Sequence, residues 1–208
     1  RAALVAGAPL AVKGRDWDAS AELAGLHYRD RHGELALPAP SLPGPHQIEN
    51  AALALAMLRH QDVVSVSREA MAEGIRTAHW PARLQRLAPG PLTGNREVWL
   101  DGGHNPSAGA MLGAHFAGQR LHLIVGMLES KVPKALTGPL GDTLASLTVV
   151  PVPGHDWHPA EAIAPSARFF PDIGNALAAI PEDGLPVLIA GSLYLAGDVL
   201  RRNGEAPE

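Results

Sequence analysis

The chain has 208 residues, an apolar fraction of 46%, a charged fraction of 18% and a net charge of −4. That length and composition predict one or two globular domains with a sizeable core and exclude a disordered chain. The weak negative charge argues against a track for the nucleic-acid backbone, and the lack of cysteine excludes a disulfide scaffold and a thiolate metal site.

No apolar run reaches the roughly 18 to 20 residues that span a bilayer, so no membrane partner is expected. The first residues, Arg-Ala-Ala-Leu, lack the basic and apolar blocks of a signal peptide, and the expected location is cytoplasmic. The chain also lacks an initiator Met, which suggests a piece of a longer polypeptide. Its 19 prolines and 22 glycines fall between periodic segments and act as loop punctuation.

In chain order, Leu4–Ala8 and Leu10–Val12 are candidate short strands. Glu22–Arg29 holds further sheet, and Arg31-His-Gly33 turns Leu26–Arg29 into Glu34–Leu37 as a hairpin. Ser41–His46 is a loop, and the Ala- and Leu-rich spacing of Gln47–Arg59 predicts a helix. His46, Gln47 and Asn50 sit at its amino end. They form either a solvated first turn or a cluster that reads a base edge, with Asn50 the best reader because an amide donates and accepts. Ser67 is an N-cap for a helix over Arg68–Thr77, and Trp80-Pro81 breaks it. Arg83 beyond is a surface charge or a guanidinium aimed at phosphate. The breakers between Leu87 and Asn95 mark a domain boundary, giving domains 1–88 and 89–208.

After that boundary strands and helices alternate. Strands are expected at Glu97–Asp101, Leu121–Val125, Leu147–Val152, Arg168–Phe170 and Pro186–Ala190. Helices are expected at Ser107–Phe116, Pro133–Leu140, Pro159–Ala164 and Ile173–Ile180, and from Gly191-Ser192 through Arg201. The fold class is therefore α/β, with a mostly parallel sheet covered on both faces. In such a sheet ligands collect at the carboxyl ends of the strands. Asp101-Gly-Gly-His-Asn105, Gly126-Met127, Pro153-Gly-His155 and Gly191-Ser192 all lie at such ends. Asp101-Gly-Gly is also ordinary turn chemistry, and Ser192 reads equally as a helix cap. His155, Asp156 and His158 resemble a metal cluster, but a solvated loop is the preferred reading, and no metal site is assigned. The chain carries no Gly-x-x-x-x-Gly-Lys-Ser/Thr phosphate loop, no Gly-x-Ser-x-Gly elbow and no dinucleotide fingerprint.

Five segments occur in one order: Leu42-Pro-Gly-Pro-His-Gln-Ile-Glu-Asn-Ala-Ala52, Trp80-Pro-Ala-Arg83, Leu100-Asp-Gly-Gly-His-Asn-Pro106, Gly126-Met-Leu-Glu-Ser-Lys131 and Gly191-Ser-Leu-Tyr-Leu-Ala-Gly197. In these the chain resembles the C-terminal portion of the bacterial folylpolyglutamate synthase/dihydrofolate synthase family, within the Mur ligase superfamily. The resemblance implies the end of a central ATP-binding domain over 1–88 and a Rossmann-like C-terminal domain over 89–208. It implies an ATP-dependent C–N ligase that adds L-glutamate to dihydropteroate or to a polyglutamyl reduced folate through an acyl phosphate. ATP and Mg²⁺ are the implied cofactors, with most metal ligands outside these 208 residues. The implied partners are small molecules, with no nucleic acid, and the full-length form is expected to be a monomer.

Carried onto this sequence, Asn50 contacts adenine, supported by His46 and Gln47. Arg83 approaches the phosphates, Asp101 meets the ribose or hydrated Mg²⁺, and His104 sits near the transferred phosphate. Lys131 and Ser192 orient glutamate or the acyl phosphate. The sequence departs from the family at three places: Ala82 where Gly is usual, Gly103 where Ala is common, and Val132 where an acidic residue is often found. Lacking a phosphate loop, the chain alone is expected to be inactive. The competing readings are a non-catalytic nucleotide- or partner-binding module and a piece of a cell-wall Mur ligase with another substrate. His-Gln at the helix start and Gly191-Ser-Leu-Tyr favour folate.

Overall fold

The computed structural model describes residues 7, 9–23, 25–44 and 46–205. They form two compact units, Arg1–Trp80 and Pro81–Glu208. The strand expected at Leu4–Ala8 lies, Gly7 apart, outside the described residues. Leu10–Val12 is not a strand: Asp16 Oδ2 accepts from the Val12 amide at 2.7 Å and curls the segment into a turn.

In the first unit β1 (Trp17–Glu22), β2 (Gly25–Asp30) and β3 (Gly33–Leu37) form an antiparallel sheet in that order. Asp30 pairs with Gly33 across the expected turn, and Gly33 at φ +105° supplies the backbone conformation that turn needs. β1 escaped the sequence reading because Asp, Ala, Ser and Glu have little strand preference. It forms because Trp17 stacks on Tyr28, with centroids 5.9 Å apart, in register with β2. Helices α1 (His46–Arg59) and α2 (Arg68–Thr77) cover the sheet. Ser67 caps α2 through a 3.1 Å bond from the Ala70 amide. Asp30 anchors α1 to the sheet. Its carboxylate is fully buried and takes Arg59 Nε and Nη2 at 2.8 and 2.6 Å. Burial pushes this carboxyl up, but the Arg59 fork and the His32 amide outweigh it and hold it at about 2.

The second unit holds β4 (Gln85–Arg86), β5 (Val98–Asp101), β6 (Leu121–Val125), β7 (Leu144–Val149), β8 (Arg168–Phe169) and β9 (Val187–Ala190). The sheet order is β4-β5-β9-β6-β7-β8, and every pair is parallel except β4–β5. Its helices are α3 (Pro106–His115), α4 (Pro133–Leu140), α5 (Ala160–Ile163), α6 (Ile173–Ala178) and α7 (Leu193–Asn203). Leu121, Leu123 and Val125 point to one face, under α3, α4 and α5. Ile124, Val187 and Ile189 point to the other, under α6 and α7. Both faces are buried, which is why these strands read as nearly continuous apolar runs.

The division at Trp80/Pro81 precedes the boundary expected between Leu87 and Asn95. Gln85 and Arg86 pair with Leu100 and Trp99, and the Gly102 amide donates to Ala82 O at 2.9 Å. These bonds tie residues 82–86, Arg83 included, into the second unit.

Candidate functional site

β9, the last strand in the chain, lies between β5 and β6. The chain leaves β5 toward α3 on one face and β9 toward α7 on the other, so the sheet has a switch point between them, the kind of place where open α/β sheets bind ligands. Asp101, Ala190 and Val125 end the three neighbouring strands in register. From those ends run Gly102–Asn105, Gly191-Ser192 and Gly126–Lys131, three of the segments singled out in the sequence.

Crowding sets the local residues. A Cβ at Gly102 would strike the Leu193 side chain and lie 3.5 Å from Arg83 Nη1. Gly191 sits at φ +108°, with Gly126 O only 2.8 Å from where a Cβ would be. A bulkier residue at either place would clash with these neighbours.

Arg83 is held by an unusual backbone. Ala82 and Leu84 on either side both take left-handed conformations, φ +56° and +45°. Each such residue without a glycine's freedom stores about 1–2 kcal/mol of strain, of the kind that gathers at functional sites. The family's usual Gly at position 82 fits this conformation without strain. Asp101 bridges this arch to the glycine turn: Oδ2 accepts from the Leu84 amide at 2.8 Å and Oδ1 from the Gly103 amide at 2.7 Å. Its residue is only 1% exposed. Gly103 is likewise constrained, since a Cβ there would run into Ala108 Cβ and come within 2.6 Å of Asp101 Oδ1.

Arg83 and His104 are half-buried, and among the described residues neither side chain has a hydrogen-bond or ion-pair partner. Asn105 Oδ1 caps α3 by accepting from Ala108 N at 2.9 Å, and Ser192 Oγ caps α7 by accepting from Tyr194 N at 3.1 Å. Both helices thus start at this edge, where backbone N–H groups favour an anion. Lys131 stands at the end of the loop after β6, where its carbonyl lies 2.8 Å from His158 Nε2. His155 packs edge-on against Tyr194, so the two histidines face different neighbours. Among the described residues no three His, Asp or Glu side chains are grouped to hold a metal.

His46, Gln47 and Asn50 form their own chain in the first unit. Gln47 Nε2 lies 3.0 Å from His46 Nε2, and Asn50 Nδ2 donates to Gln47 Oε1 at 3.0 Å. Gln47 is buried, while Asn50 is exposed and oriented by it.

Sequence reading missed the strained flanks of Arg83 and the exposed pair Leu193 and Tyr194 (45% and 55% exposed) at the start of α7. Ala and Leu carry no signal for positive φ. Two large apolar residues on the first turn of a capped helix did carry a signal, because a helix built only for the core would turn them inward. It also missed Ser146, His122 and Asp183 at the opposite edge, with His122 Nδ1 2.7 Å from Ser146 Oγ and Nε2 3.2 Å from Asp183. His122 is buried, and these partners satisfy both ring nitrogens.

The mostly parallel α/β sheet matches the C-terminal domain of solved folylpolyglutamate synthase/dihydrofolate synthase structures, of the Mur ligase type. No protein-family model matches the sequence. Over nearly all of its length the chain is similar in sequence to folylpolyglutamate synthases. It is 30% identical over 221 residues to the folylpolyglutamate synthase of Lacticaseibacillus casei, covering 95% of this chain and 50% of that protein. A solved bifunctional folylpolyglutamate synthase/dihydrofolate synthase with Mn, AMPPNP and L-glutamate bound superposes at TM-score 0.76. It is 28% identical and covers 96% of this chain and 48% of its own. Escherichia coli FolC in complex with DHPP and ADP superposes at 0.70 with 27% identity, over 96% and 48%. The chain thus spans about half the length of the relatives it matches.

Proposed function

We propose that this chain is the glutamate-ligating half of an ATP-dependent ligase that adds L-glutamate to dihydropteroate or to a polyglutamyl folate through an acyl phosphate. The observation that carries it is the pairing of Arg83 with the Asp101–His104 turn at the switch point, on a fold whose solved neighbours bind AMPPNP, L-glutamate, DHPP and ADP.

Each group has work suited to its chemistry. The half-buried Arg83 fork holds phosphate oxygens and stabilises charge that grows on them. His104 donates to an oxygen of the transferred phosphoryl group. The amide edge of Asn50, aimed by Gln47 and His46, matches adenine. Lys131 and the start of α7 at Ser192 hold the carboxylates of glutamate. Bound ATP supplies the phosphoryl group that makes the acceptor carboxylate electrophilic. The accompanying Mg²⁺ draws most of its ligands from outside this chain. The same reading gives small-molecule partners only, a monomeric full-length form and a cytoplasmic location. No helix among the described residues is long and apolar enough to cross a membrane.

Without a phosphate loop the 208 residues alone are inactive in this reading. Joining them to a phosphate-loop half and measuring glutamate-dependent ADP release tests it, with Arg83→Ala as the control that lowers release about 10³-fold. One observation favours the non-catalytic alternative: the Asp101 carboxylate is turned into the protein rather than out to a ligand. A well-folded assembly that binds nucleotide but releases no ADP would select that alternative.

A further inference from the structure

We infer that Asp101 is a positioning residue, acting through two backbone amides to hold Arg83 and His104 at one edge of the sheet. This rests on the ligase reading of those two side chains. One carboxylate oxygen accepts from Leu84, the residue directly after Arg83, and the other accepts from Gly103, the residue directly before His104. A third bond, Gly102 N to Ala82 O at 2.9 Å, closes the same junction from the other side of Arg83. Arg83 thus stands between two left-handed residues, each tied to the glycine turn. Left-handed alanine and leucine relax to extended or helical backbone unless neighbours hold them. A carboxylate suits this post because it accepts on both oxygens at once. An asparagine in the same rotamer presents its NH₂ to one of the two amides, donor against donor. The arch or the turn then opens, and the guanidinium and imidazole lose their common placement.

The functional test is a double-mutant cycle, read as glutamate-dependent ADP release from an assembly joining this chain to a phosphate-loop half. Asp101→Asn is expected to lower kcat about 10²-fold, the size of a roughly 1 Å misplacement. On an Arg83→Ala background the same change is expected to remove less than about tenfold more, because part of its effect runs through Arg83 and the rest through His104. Losses that multiply would show Asp101 acting on substrate itself and would overturn the inference.

Amide hydrogen exchange on the 208-residue chain gives a readout independent of activity. Asp101→Asn is expected to speed exchange at Leu84 and Gly103 about tenfold or more while leaving Leu123 and Ile189 in the sheet core unchanged. Unaltered exchange at Leu84 and Gly103 would overturn it. If Asp101→Asn does not fold, the unsubstituted chain still decides. Couplings across the hydrogen bonds from the Asp101 carboxylate carbon to both amide nitrogens are expected, and the absence of either refutes the latch. A silent assembly with Asp101 intact counts against the ligase reading alone, and exchange then decides the latch by itself.

Discussion

At the scale of single residues, the two glycine–alanine departures from the family pattern have opposite physical costs. Ala82 is left-handed and packed, so Ala82→Gly relieves about 1–2 kcal/mol of strain. It also loses a buried methyl, about 0.8 kcal/mol, and frees the unfolded backbone by about 0.5–1 kcal/mol. The expected net change in denaturant unfolding is within about 1 kcal/mol of zero. Gly103→Ala instead forces a methyl against Ala108 and the Asp101 carboxylate, and should destabilise by about 1–3 kcal/mol in the same measurement.

Asp30 makes the clearest pH prediction. Its folded pKa of about 2 lies below the ordinary 3.8, so its stabilisation is present above pH 4 and is lost as pH falls through about 2. Asp30→Asn breaks the pair between the buried Asp30 carboxylate and the largely buried Arg59, and should cost the first unit about 3–5 kcal/mol at pH 7. That loss should shrink toward pH 2 in acid-unfolding curves. No motif announces this pair: Asp30 is a turn-flanking acid and Arg59 a helix-end base, and only the hairpin's packing on α1 brings them together.

At the scale of elements, local chemistry was legible wherever a cap or breaker sat at a boundary. Ser67 and Ser192 each cap the helix that the sequence assigned to them, and Asn105 caps α3 as well. Ser192→Ala should lower the thermal stability of the second unit by about 1 kcal/mol even without ligand, because the Tyr194 amide loses its acceptor. Elements set by partners were less legible. β7 was expected at Leu147–Val152 but spans Leu144–Val149, because its register follows β6, with Val149 beside Val125 at the sheet edge. The apolar run beyond it is also buried, and burial alone does not mark where pairing stops. β4 has only two residues and no pattern of its own; it exists because β5 offers an edge.

For the whole molecule, alternation of strand and helix foretold a parallel sheet with ligand loops at one edge, and the candidate residues of the second unit gather there. Alternation does not give strand order. That β9 inserts between β5 and β6, and so brings Leu193 against Gly102, follows from tertiary packing alone. The left-handed arch around Arg83 was hidden for a related reason: long-range bonds from Ala82 and Leu84 to residues 101 and 102 impose it against local preference.

The most direct test of this account is ADP release by the chain joined to a phosphate-loop half, with dihydropteroate or a reduced folate present and L-glutamate varied. The account predicts release that saturates with glutamate and falls about 10³-fold or more in Arg83→Ala, the loss typical of a guanidinium that stabilises transferring phosphate. Release independent of glutamate, or equal in Arg83→Ala, would contradict it.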